Sequence, residues 1–183
     1  MPYLKKTVSI LRVLAGMLCL AAAVTSLCLA KAIASVSMRT VTLIVVHCSA
    51  TPQGKDFRAT DIDRWHRARG WKMIGYHYVV NLNGTIEQGR PEPMVGAHCQ
   101  GHNEHSIGVC YIGGLDSRGR PSDTRTPAQK KALRQLLEKL HAAYPKAFIV
   151  GHHDLNPAKA CPCMDVVREF ADLQTEWNVK CKI

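Results

Sequence analysis

No aspartate or glutamate occurs in the first 38 residues, and no internal repeat, low-complexity tract or linker-like stretch interrupts the chain after them. The lack of repeats and linkers leaves one domain as the organisation of residues 39–183, because a chain of 183 residues is too short for two domains of typical length plus a leader. Hydrophobic residues make up 46% and charged residues only 21%, so the chain lacks the composition of a disordered polypeptide and can build a packed core. There is no HExxH and no paired CxxC, so no single short motif dictates a metal site. Zinc-finger spacing, an RNA-binding signature and a helix-turn-helix pattern are absent too, and no nucleic-acid partner is expected.

What is present begins with a basic, apolar N-terminus. Of the net charge of +10, four charges belong to Lys5, Lys6, Arg12 and Lys31, so residues 39–183 carry +6 and suit an anionic partner. Val13–Ala30 carries no charge and is followed by Ala32-Ile33-Ala34, a small-x-small pattern. The pattern predicts a cleaved export signal. Because the apolar run exceeds the ~7–15 residues of a signal core, an uncleaved anchor crossing the membrane through residues 13–30 is the second reading. Either places the protein in the periplasm or cell envelope, the second tethered to the inner membrane. Met38-Arg39-Thr40 leads straight into the first strand, and a start at Met38 with a cytoplasmic product is the third.

After the leader, Thr42–Cys48 (TLIVVHC) has the composition of a buried central strand. A helix is predicted from about Thr60 to Arg69, with Ile62, Trp65 and His66 on one face and Gly70 as its stop. Tyr76–Leu82 and Thr85–Gln88 flank Asn83-Gly84 and read as a hairpin, and Ile107–Ile112 as a second buried strand. Thr126-Pro127-Ala128-Gln129 is a capping box with proline at the first helical position. The long helix it opens carries Leu133, Leu136, Leu137, Leu140 and Tyr144 on one stripe. Ala147–Val150 reads as a last strand and Asp165 to about Trp177 as a last helix. The expected fold is a single-domain α/β sandwich, a mixed sheet with helices packed on it, and the expected state is a monomer.

His47 closes the first strand, His152 the last, and Cys161 follows in a proline-rich loop. Adjacent strand ends and a short loop can bring two imidazoles and a thiolate around one zinc with a fourth position open, the arrangement of a catalytic site, but spacing alone favours three scattered residues. His153 competes with His152 as the donor. Cys48 alternates with His47 and is expected to be a buried thiol on the opposite sheet face. His77 is likewise expected to face away from Tyr76, and His66 to lie in the core. The body cysteines Cys48, Cys99, Cys110, Cys161, Cys163 and Cys181 are expected to be mostly free or metal-bound.

The blocks VVHCSAT (45–51), WHRARGW (65–71), IGYHYVV (74–80), NGTIEQGR (83–90), GAH (96–98), HNEHSIGV (102–109), TPAQ (126–129) and GHHDLNPAKACP (151–162) occur in this order. Together they resemble the zinc-dependent N-acetylmuramoyl-L-alanine amidases of type 2, especially the amidase-type phage lysozymes, relatives of the peptidoglycan recognition proteins. The resemblance covers residues 39–170. It implies a peptidoglycan-recognition-protein-like fold and a Zn2+ held by His47, His152 and Cys161. It also implies Tyr76 and Lys159 as catalytic residues and peptidoglycan as the partner, with the lactyl–L-alanine amide as the bond cut. His98, Asn103 and Ser106 lie in a loop that the family sets beside its cleft, and are expected to contact substrate. The loop from Asp154 to Ala160 is one residue longer than in the phage members. A non-catalytic peptidoglycan-binding module of the same fold is the competing function.

Overall fold

A computed structural model describes residues 39–174. The leader readings, Cys19, Cys28 and Cys181 lie outside the described residues. The elements in chain order are β1 (Leu43–Cys48), β2 (Thr51–Pro52), α1 (Ala59–Ala68), β3 (Tyr78–Val80), β4 (Ile86–Gln88), β5 (Ser106–Tyr111), β6 (Gly114–Leu115), α2 (Pro127–Ala143), β7 (Phe148–Gly151), α3 (His152–Leu155) and α4 (Val166–Glu169). Five strands form a mixed sheet in the order β4-β3-β5-β1-β7, in which only the β3–β4 hairpin pairing is antiparallel. β2 and β6 pair as a separate short ladder.

Alternation along the central strands separates two faces. Ile44, Val46 and Cys48 of β1 and Ile107, Val109 and Tyr111 of β5 face α2, whose Leu133, Leu136, Leu137 and Leu140 complete the main core. This is the predicted leucine stripe, and its start is fixed as expected: the Thr126 hydroxyl accepts from the Gln129 N–H while the Gln129 side chain accepts from the Thr126 N–H. Gln129 also donates from its amide to the carbonyls of Val80 and Ile112, which ties the helix to the sheet. The opposite face carries His47 from β1 and Ser106, Gly108 and Cys110 from β5. The predicted strands and the α1 and α2 helices are present within two or three residues of their expected bounds.

Two expectations are corrected. Among the described residues the last helix spans Val166–Glu169 and is followed by a 3-10 turn at Ala171–Leu173, while its expected end near Trp177 lies outside them. The cause is Gln174, which is buried and pairs its side chain with both the N–H and the C=O of Ile149, drawing the chain along the edge of β7. His77 does not simply face away from Tyr76, because the regular strand begins only at Tyr78; both rings approach His98, at centroid distances of 5.7 and 6.3 Å. His66 is buried as expected, its Nδ1 accepting the Gly75 N–H at 2.9 Å.

Candidate active site

The parallel register sets the site. Val46 pairs with Gly151, so the next residues along each strand, His47 and His152, come side by side, their ring centroids 4.7 Å apart. The Asp154 carboxylate accepts the Gly151 N–H at 2.7 Å and so turns the chain into α3 immediately after β7. Cys161 is brought back by two backbone contacts. Its carbonyl accepts the His153 N–H at 2.8 Å, and its Sγ accepts the Cys48 N–H at 3.2 Å. As a result one donor atom each from His47, His152 and Cys161 lies within 4.8 Å of the other two. His153 is not part of this group; its ring turns to Asp154, with Nε2 3.2 Å from the carboxylate.

The donor chemistry fits zinc. His47 Nδ1 stands 3.7 Å from Cys161 Sγ. Two tetrahedral ligands at ordinary zinc–nitrogen and zinc–sulfur bond lengths are separated by about 3.6 Å. His47 is 1% exposed, and burial, then the neighbouring His98 and His152, hold it well below the usual imidazole range. Burial and then the Lys159 ammonium lower His152 in the same way. Both rings are therefore neutral at neutral pH and offer lone pairs, the form a metal requires.

Around this cluster stand the other expected residues. Tyr76 packs its ring 5.1 Å from that of His47, and burial, reinforced by the thiols of Cys110, Cys161 and Cys48, raises it well above the ordinary phenol value, so it remains a neutral hydroxyl. An open groove of about 550 Å³ runs from His152 past Lys159, with Trp71, His98, Asn103 and Asn156 on its walls. Asn103 uses its side-chain oxygen to accept the N–H groups of His98 and Cys99, at 2.8 and 2.9 Å. Ser106 is fully buried behind His98 and is not on the groove wall.

Among the described residues Cys48, Cys99, Cys110, Cys161 and Cys163 are free thiols. Cys48 is buried in the α2-side core as expected, and the Cys163 thiol turns away from the cluster, 3.8 Å from Cys48 Sγ and 3.3 Å from the Gly114 carbonyl. The sequence reading missed that His98 touches His47 directly, Nδ1 to Nε2, at 3.0 Å. A signal existed: Gly108 interrupts a buried strand, and glycine there marks a close approach. A Cβ at Gly108 would lie 2.5 Å from the His98 ring.

Fold and site together define an α/β domain whose strand ends gather a nitrogen–nitrogen–sulfur donor set beside an open groove. A family model described as N-acetylmuramoyl-L-alanine amidase matches residues 37–164. The endolysins of Enterobacteria phage K11 and Escherichia phage T7 are 46% and 45% identical over 123 and 125 residues, spanning 67% and 68% of this chain and 81% and 82% of theirs. Among solved structures, the N-acetylmuramoyl-L-alanine amidase LysC from Clostridium intestinale URNW superposes with a TM-score of 0.62 at 29% identity, covering 80% of this chain and 90% of that one. Bumblebee PGRP-SA shares the fold, with a TM-score of 0.60 at 20% identity over 72% of this chain and 81% of its own. The chain belongs to the N-acetylmuramoyl-L-alanine amidase family.

Proposed function

We propose that the protein is a zinc-dependent amidase that hydrolyses the bond between the lactyl group of N-acetylmuramic acid and the L-alanine of the peptidoglycan stem. The observation that carries this reading is the convergence of His47, His152 and Cys161, of which His152 lines the same groove as Lys159. His47 and His152 would hold zinc through neutral imidazoles and Cys161 through a thiolate whose charge the Cys48 N–H partly balances. When bound, zinc supplies Lewis acidity toward the scissile carbonyl and lowers the pKa of water toward ~7.

The chain's own residues do the rest. The groove takes the stem peptide, with His98 and Asn103 on its wall. Tyr76, kept protonated by its surroundings, offers a hydrogen-bonding hydroxyl that orients the attacking water. Lys159 lines the groove beside His152, and its ammonium would stabilise the negative charge that develops on the carbonyl oxygen. Residues 39–183 form the catalytic domain behind a targeting segment that directs the protein to the cell envelope, which N-terminal sequencing of the native protein tests. The function itself is tested by mass spectrometry of digested peptidoglycan. Release of stem peptides with a free L-alanine amine, lost in Cys161→Ala, is the expected result. Binding without release would favour the non-catalytic module, and full activity in Cys161→Ala would remove the metal assignment.

A further inference from the structure

Behind His47 the hydrogen bonds run in one direction, and a backbone carbonyl fixes that direction. Ser106 Oγ is fully buried and donates to the His102 carbonyl at 2.7 Å. A hydroxyl has one hydrogen, so toward His98 Nε2, 3.3 Å away, it presents a lone pair. His98 Nε2 is then the N–H, and in a neutral imidazole Nδ1 is left as the acceptor. The partner of that acceptor, His47 Nε2 at 3.0 Å, must donate. His47 has thereby committed its one hydrogen to Nε2, and the nitrogen left with a free lone pair is Nδ1, the one that faces Cys161 Sγ.

The His98 ring is seated as tightly as this logic requires. A Cβ at Gly96 or at Gly108 would come within 2.5 Å of its Cδ2, so two glycines make the slot it occupies. Asn103 holds the backbone N–H of His98 itself at 2.8 Å. Both ring nitrogens have a protein partner.

We propose that His98 and Ser106 are positioning residues that lock His47 in its Nε2–H tautomer and so present Nδ1 to the metal. The proposal rests on the reading of His47 as a metal ligand, and it assigns these two residues a task other than substrate contact. A ligand whose tautomer is preset spares the metal the cost of reorganising it; loss of such a supporting partner typically weakens metal binding 10–100-fold.

The test uses the full chain. Zinc affinity is measured by competition with a chromophoric chelator, the visible spectrum of the cobalt(II) form is recorded, and kcat and KM on peptidoglycan are determined for the wild type, His98→Phe, His98→Gln and Ser106→Ala. His98→Phe, which fills the slot without an acceptor, is expected to weaken zinc binding roughly 10–100-fold and alter the cobalt spectrum. His98→Gln is expected to recover most of the affinity, because its amide oxygen can accept from His47 Nε2. Ser106→Ala is expected to show a smaller loss.

Wild-type zinc affinity in His98→Phe, with only KM raised, would overturn the proposal in favour of substrate contact. Failure of the wild type to bind zinc at all would instead overturn the ligand reading beneath it. A measurement on the unmutated, metal-free protein needs no variant to fold. Histidine 15N shifts are expected to report both His47 and His98 as Nε2–H tautomers, and a Nδ1–H assignment for either would refute the relay.

Discussion

Tyr76 keeps its proton because burial and three nearby thiols disfavour the phenolate, so the role proposed for it is that of a hydrogen-bond donor. Tyr76→Phe preserves the ring packed on His47 and removes that bond; kcat is expected to fall about 100-fold with zinc content unchanged. Lys159→Ala removes the cation beside the cluster, and a loss of about 100-fold in kcat at similar KM is expected from steady-state kinetics. His77 offers a stability test outside the metal ligands. Burial, aided by Arg39 and Arg90 against the opposing Met94 carbonyl and Glu92, pushes its pKa down to about 4. The unfolded chain therefore takes up this proton near pH 6.5 while the folded protein does not until about pH 4. The contribution of His77 to stability is accordingly complete above pH 6.5 and lost as pH falls toward 4, and His77→Gln is expected to make that part of a urea-midpoint profile less steep.

Elements carry the legible part of the sequence. β1 reads as a strand because Leu43–Cys48 is buried throughout, and α2 because one leucine stripe and one capping box agree. Leu137→Ala, at a fully buried position in that stripe, is expected to cost about 2–5 kcal/mol in denaturant unfolding without changing zinc affinity. The His47, His152 and Cys161 set was legible through family resemblance, since spacing alone could not show that Val46 would register with Gly151. What escaped the sequence depends on contacts across the chain. Gln174 shortens the last helix by pairing with Ile149, twenty-five positions earlier, and His98 meets His47 through a slot that Gly96 and Gly108 leave open. Neither contact leaves a periodic trace in its own segment.

At the scale of the molecule, the basic body and the open groove suit a polymeric, anionic substrate. Surface charge attracts such a polymer only over about a Debye length, ~8 Å at physiological salt, so added sodium chloride is expected to raise KM for intact peptidoglycan while leaving kcat nearly constant. The proposed function requires one zinc at His47, His152 and Cys161 for amide cleavage. Stoichiometric addition of zinc to the chelator-treated protein, with metal content and stem-peptide release followed in the same samples, tests it most directly. Activity rising in proportion to bound zinc and reaching its plateau at one equivalent per chain is the expected result, and full activity in the metal-free protein would contradict the account.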